Sequence, residues 1–254
     1  MVELKTPAEI QAMREAGRVV AEALAAVKAA AAVGTTLAEL DEVAQGVLAA
    51  HGAGSSFQHY HPQFAPTPFP AVLCTSVNDA IVHGIPHRTA LRDGDLLSID
   101  FGAHVRGWHG DSAMSFVVGT ASQDDLDLIE TAERALAAGI AAAVPGNRMG
   151  DITHAIGTVV RAGGYGMPED FGGHGIGRSM HESPSVPNEG KAGRGYRLRE
   201  GLVIAIEPMV HQGGSDKYYA DDDGWTLRTS DGSRAAHAEH TIAITADGPV
   251  ILTA

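Results

Sequence analysis

Apolar residues recur at spacings of three and four from Ile10 through Met13, Gly17, Val20 and Leu24 to Val27, one stripe along a helix. Just upstream, Thr6-Pro7-Ala8-Glu9 has the form of a capping box, with proline at the first helical position. Together they predict an amphipathic helix, whose small residues suit packing on a sheet better than a coiled-coil seam. A second box, Thr36-Leu37-Ala38-Glu39, predicts a helix to about His51, and Ser122-Gln123-Asp124-Asp125 caps a third through about Val144.

The pattern then repeats. "GTTLAELDEVAQGVLAAHG" from Gly34 and "GNRMGDITHAIGTVVRAGG" from Gly146 hold their apolar positions in register, Leu37 with Met149, Leu40 with Ile152 and Val47 with Val159. Apolar runs follow suit: "RDGDLLSID" at 92–100 matches "REGLVIAIE" at 199–207, each closed by an acid, and "HGIP" at His83 matches "HGIG" at His174. The chain therefore reads as two related halves, near 1–120 and 121–254, joined in one domain over 1–254. Two halves about a pseudo-two-fold axis place their sheets side by side, with paired helices covering them. The predicted class is α+β.

Carboxylates interrupt the apolar runs. "LLSIDFGAHVRGWHGDSAMSFVVG" predicts two strands about a turn at Val105 to Gly107, and Asp100 and Asp111 fall inside them; Glu207 ends one later run and Glu239 opens another. A buried carboxylate costs several kcal/mol unless paired or bound to a cation. Arg106 and Arg234 are the nearby basic residues in sequence, too few for four acids. Divalent ions would neutralise the cluster, with an imidazole completing the donor set. Asp100, Asp111, His174, Glu207 and Glu239 supply enough donors for two ions about 3.5–4 Å apart if some carboxylates bridge.

His174 lies in "GGHGIGRSMHESP", residues 172–184, seven positions before His181. That spacing suits one helix face, but each of the four glycines costs a helix about 1 kcal/mol relative to alanine. The run reads instead as an extended turn whose main chain comes close to something.

A formal charge of −13 across 254 residues, with no basic patch, argues against a nucleic-acid or acidic-membrane surface. The single cysteine, Cys74, excludes an internal disulfide framework and fits a reducing compartment; no apolar run reaches membrane-spanning length and the first residues lack a signal peptide's pattern. A cytoplasmic location is expected. "SDKYYADDDGW" reads as an acidic surface loop.

Through "VNDAIVHGIP", "SIDFGAHVRGWHGDS", "GGHGIGRSMHESP", "AIEPMV" and "AEHTIAITADG", in order and over essentially the whole chain, the sequence resembles the type I methionine aminopeptidases of the pita-bread fold. The resemblance implies a metal site at the centre of the two halves. Asp100 would bind one ion, Asp111 and Glu239 would bridge both, and His174 and Glu207 would hold the other. The ions would be two of cobalt, manganese, iron or zinc. His83 would lie near the scissile nitrogen, His181 would hydrogen-bond the scissile carbonyl, and Glu207 would also accept and return a proton. Phe69, Cys74, Met180, His83 and Trp225 would form the methionine pocket. The implied activity is removal of the initiator methionine from nascent proteins and peptides ahead of a small second residue, by a monomer close to the ribosome.

Departures from the family's pattern bear on the pocket. Residues 58–72, "QHYHPQFAPTPFPAV", are longer and richer in proline, leaving open which of Tyr60, His61, Phe64 and Phe69 lines the site; Ala238 and Met180 stand where aromatic residues are common. Two other readings compete. An X-Pro aminopeptidase or dipeptidase shares the fold and the five ligands, usually with a large N-terminal domain that is not found here. A pseudoenzyme that binds peptides should have lost ligands, and all five are present.

Overall fold

A computed structural model describes residues 2–63 and 65–254, so Phe64 lies outside the described residues. The first half opens with helices α1 (Pro7–Ala30) and α2 (Leu37–His51). In both, the N-cap threonine hydroxyl accepts from the N3 backbone while the N3 glutamate accepts from the N-cap backbone, as the two boxes predict. Strands β1 (Gly54–Ser55), β2 (Leu73–Val77), β3 (Ala80–Val82), β4 (Leu96–Val105) and β5 (Trp108–Val117) follow. The β4–β5 turn falls at Arg106 and Gly107, both at positive φ.

The second half repeats the order with α3 (Gln123–Ala142) and α4 (Met149–Ala162), then β6 (Gly172–Gly175), β7 (Glu182–Pro187), β8 (Val203–Ile206) and β9 (Met209–His211). It closes with β10 (Tyr218–Ala220), β11 (Leu227–Thr229), β12 (Ala235–His237), β13 (Glu239–Thr245) and β14 (Gly248–Ile251). Helix α3 stops at Ala142, two residues short of expectation, because Val144 precedes Pro145 and the proline ring disfavours helical geometry in the residue before it.

The main sheet runs β1-β4-β5-β13-β8-β6-β7, with β2 also on β4 and β14 also on β13. Its halves meet where β5 pairs antiparallel with β13, Glu239 opposite Ala113 and His240 opposite Ser112. Each helix pair buries its stripe on its own half. Val20, Leu24 and Leu40 pack with Leu73, Ile99 and Phe101, while Leu128, Ile152 and Ile156 pack with Ile204, Ile206 and Ile242. At about 25 cal/mol per Å² of apolar surface, these two cores are the main source of stability. Antiparallel pairing on one curved face and helices on the other is the α+β, pita-bread arrangement. No helix among the described residues is long and apolar enough to cross a membrane.

The internal repeat is looser in structure than in sequence. Asp100 lies inside the ten-residue β4, whereas Glu207 lies just past β8, because Pro208 has no N–H to continue the ladder. His174 belongs to strand β6, whereas His83 follows β3 in a turn at φ 61°.

Candidate metal centre

The acids converge at the seam between the halves. Asp100 sits on β4 opposite Cys74 of β2, and Asp111 on β5 opposite Gly102. Thr241 stitches Asp111 to β13, accepting from the Asp111 N–H at 3.0 Å and donating its hydroxyl to the Asp111 carbonyl at 2.8 Å. The Ser112 hydroxyl donates to the Glu239 carbonyl, fixing the start of β13.

His174 reaches the same point from β6. Its Nδ1 donates to the Gly175 carbonyl at 2.9 Å, which leaves the Nε2 lone pair facing Glu207 Oε1 at 3.6 Å and Asp111 Oδ2 at 3.8 Å. The glycine run around it is part strand and part the extended turn expected, with Gly177 and His181 in the bend that joins β6 to β7. Gly172–Gly175 is a strand between β8 and β7, and a Cβ on Gly173 would fall 2.1 Å from the Ala205 carbonyl oxygen. What the main chain approaches so closely is the neighbouring strands.

Asp111, His174 and Glu239 bring one donor each within 4.8 Å of one another, and so do Glu207, His237 and Glu239. Asp100 stands against Asp111, and burial, then that neighbouring charge, raise its pKa. Oδ1 of Asp100, Oδ1 of Asp111 and Oε1 of Glu239 are buried without any hydrogen-bond partner. The alternative of basic partners fails, since Arg106 is bound to Glu15, and Arg234 donates to Asp125 at 2.8 Å and to the Gly94 carbonyl at 2.9 Å.

Desolvation and mutual repulsion therefore favour the neutral acids. Burial pushes Asp111 up to about 7, and burial with the Asp111 charge pushes Glu207 up to about 8. Asp100 and Glu239 rise well above the carboxylate range for the same two reasons, burial first. Unpaired oxygens on converging, destabilised carboxylates beside a neutral imidazole are the donor set that a hard or borderline divalent cation fits.

The cluster forms one wall of a cavity of about 580 Å³. Phe57, Tyr60, Phe69, Cys74, Met180 and Trp225 supply its apolar and aromatic surface. His83 and His181 line it too. His181 lies between Tyr60 and His174, with ring centroids 5.1 and 4.2 Å away, and burial first, then His174 and His109, lower its pKa to about 3. His83 packs edge-on to Phe171 and Trp225 and is lowered to about 4 by burial and then His181. Its backbone is left-handed, rare for a non-glycine residue, and its ring faces the cavity. The Cys74 thiol is raised well above its ordinary value by burial and by Asp100, the reverse of what a nucleophile requires.

One open question about a loop is answered and one expectation changes. Segment 58–72 folds back on itself through His59 N–H to the Phe69 carbonyl and Phe69 N–H to the Tyr60 carbonyl, both 2.9 Å, which brings Tyr60 and Phe69 to the cavity. His61 is absent from the lining; its Nε2 lies 3.2 Å from the Ala65 carbonyl. "SDKYYADDDGW" is not simply a solvated acidic loop. Tyr218–Ala220 is β10, paired with β11, and Asp221 accepts from Arg228 at 2.6 Å. Asp223 accepts from the Trp225 and Thr226 N–H groups at 2.8 Å, and the Trp225 indole donates to the Thr67 carbonyl at 2.9 Å. Asp223 is the cap of the turn that presents Trp225 to the cavity.

Several residues of the site escape a reading of the sequence, Phe57, Phe171 and His237 among them. Phe57 and Phe171 line the cavity from just outside the runs at 58–72 and 172–184, where no pattern marks them. His237 is a potential metal donor whose one sign in the sequence is its position two residues before Glu239 in "AHAEH".

A family model for "Metallopeptidase family M24" matches residues 11–246. "Methionine aminopeptidase 1" of Mycobacterium tuberculosis is 50% identical over 260 residues, covering 100% of this chain and 95% of that protein. "Methionine aminopeptidase 1" of Bacillus subtilis is 44% identical over 254 residues, covering 100% and 99%. The crystal structure of methionine aminopeptidase from Thermotoga maritima superposes with a TM-score of 0.95 at 37% identity, covering 100% and 99% of the two chains. A prolidase from Pyrococcus furiosus shares the fold, at TM-score 0.77 and 22% identity over 65% of its own length. With its carboxylate and imidazole cluster and this similarity along its whole length, the chain belongs to metallopeptidase family M24.

Proposed function

We propose that this chain removes the N-terminal methionine from peptides and newly made proteins by metal-assisted hydrolysis, preferring a small second residue. The observation that carries the reading is the placement of partnerless buried carboxylate oxygens in the wall of a cavity otherwise built from Phe57, Phe69, Cys74, Met180 and Trp225. Soft and aromatic surface of this kind suits a thioether side chain.

Asp100, Asp111, His174, Glu207 and Glu239 would hold two divalent ions, with Asp111 and Glu239 shared. Bound there, such ions polarise a peptide carbonyl and lower the pKa of water. Cobalt, manganese, iron and zinc all suit a donor set of this kind. Glu207, within reach of both imidazoles of the cluster, accepts the proton of the attacking water and returns it to the departing amine. His181, neutral at physiological pH, donates a hydrogen bond to the carbonyl oxygen as negative charge develops, a contact worth about 3–4 kcal/mol in comparable sites. His83 faces the nitrogen side of the scissile bond. The free α-amino group, drawn to the acidic floor, restricts cleavage to the first residue. The same reading has one catalytic domain over 1–254, acting as a monomer on nascent chains near the ribosome in the cytoplasm.

The deciding experiment measures cleavage of Met-Ala-Ser and Ala-Pro-Ala by metal-free protein and after each cation is added separately. Cleavage of Met-Ala-Ser that depends on the cation, with Ala-Pro-Ala spared, is expected. Cleavage of only the proline peptide transfers the assignment to X-Pro hydrolysis. Binding of Met-Ala-Ser without cleavage under every cation makes the chain a peptide-binding protein.

A further inference from the structure

We propose that His237 is a sixth protein donor of the centre, its Nε2 ligating a divalent ion held between Glu207 and Glu239. The inference rests on the metal-centre reading above, but its test counts ligands and makes no use of peptide cleavage, so the two can fail separately.

His237 is 1% exposed, and its Nε2 has no hydrogen-bond partner. That nitrogen lies 3.7 Å from Glu207 Oε2 and 3.8 Å from Glu239 Oε2. Both distances exceed a hydrogen bond. They come within about 0.2 Å of the separation of two donors on one cation, since bonds of about 2.1 Å set their donors roughly 3.6 Å apart at 120°, so a small inward movement of the side chains closes both onto an ion. Glu207 points one oxygen at each imidazole, Oε1 at His174 and Oε2 at His237. The result is two triads, each of one imidazole and two carboxylates, sharing Glu239.

The backbone holds His237 in this place. It ends β12 opposite Met209 of β9, and one hydroxyl fixes both of its main-chain polar groups. Ser115 Oγ accepts from the His237 N–H at 2.9 Å and donates to its carbonyl at 2.8 Å, while also bonded to Ser98 Oγ. An imidazole locked this way onto two acids is built to bind something between them. A second nitrogen donor also shifts the site's preference toward zinc, cobalt and iron and away from manganese.

The test uses the full-length protein loaded with cobalt(II), whose paramagnetism shifts the ring N–H signal of every ligating imidazole. A ring bound through Nε2 carries its proton on Nδ1, so two solvent-exchangeable N–H signals with the large contact shift of a bound ring, distinct from the smaller through-space shifts of unbound neighbours such as His181, are expected in the native protein and one in His237→Gln. Calorimetric zinc affinity should fall in the variant by at least the roughly 10–100-fold that losing an outer-shell partner costs, and manganese affinity by less. A single shifted signal in the native protein overturns the proposal, as do two signals persisting in the variant or unchanged zinc affinity. Should His237→Gln fail to fold, the native spectrum decides alone.

Discussion

Stripped of metal, the protein should lose stability as pH rises from 6.5 to 8. Glu207 moves from an ordinary 4.5 up to about 8 on folding, so between those values the folded chain keeps a proton that the unfolded chain has released. Its contribution is fully present below about pH 4.5 and is lost as pH climbs through about 8. The buried histidines work in the opposite direction. His83 and His174 fall to about 4, and His181 and His237 to about 3, all chiefly by burial, so each favours folding above 6.5 and opposes it as pH drops. Below 6.5 the two sets offset each other. Above 6.5 the folded imidazoles are neutral, while the unfolded ones, half protonated at 6.5, finish losing their protons by about 7.5; each returns only about 0.4 kcal/mol, and the four raised carboxylates outweigh them.

The size follows from the window. At about 1.36 kcal/mol per unit, Glu207 loses about 2 kcal/mol over the 1.5 units from 6.5 to 8, and Asp111, raised to about 7, adds less than 1. A loss of roughly 2–3 kcal/mol corresponds to a fall in Tm of about 5–10 °C for a chain of this size. Urea and thermal unfolding of chelator-treated protein at constant ionic strength measure it directly. Saturating divalent ion should reverse the slope, because ions displace those protons more easily at higher pH. Glu207→Gln should flatten the metal-free slope by removing one of its four contributors. Metal-free stability that stays level or increases from 6.5 to 8 would refute the reasoning.

Other perturbations separate chemistry from scaffold. Glu207→Gln that still holds metal should lower kcat on Met-Ala-Ser by about 10²–10⁴-fold through loss of proton transfer, checked by steady-state kinetics beside metal analysis. His181→Asn should lower kcat by roughly 10²–10³-fold with little change in metal content, and wild-type kcat would exclude its contact with the developing charge. Gly173→Ala forces a methyl against the Ala205 carbonyl oxygen, so β6 must separate from β8 and carry His174 away; lowered metal affinity and lowered Tm should appear together, measured by calorimetry and thermal unfolding.

Much of this protein was determined by local pattern. Helix starts at Thr6 and Thr36 rest on residues three positions apart, so the chain encodes them without help from the rest of the fold. The acids within apolar runs likewise marked the four carboxylates, because an aspartate in an apolar strand conflicts with its own surroundings wherever the strand ends up. Tertiary structure alone decided what resolves that conflict. Whether Arg106 or Arg234 neutralises the acids depends on where two long side chains reach across the fold, and they reach Glu15 and Asp125 instead. The glycines beside His174 looked like a turn because their sequence lacks side chains, whereas the reason is two neighbouring strands that only the folded sheet brings together. His237 is silent in the sequence for the same cause: a histidine two residues from a glutamate carries no meaning until β12, β8 and β13 set its ring against two carboxylates from different strands' ends. Spacing along a chain fixes what neighbours do to one another, but convergence of charge from distant segments is a property of the packed molecule.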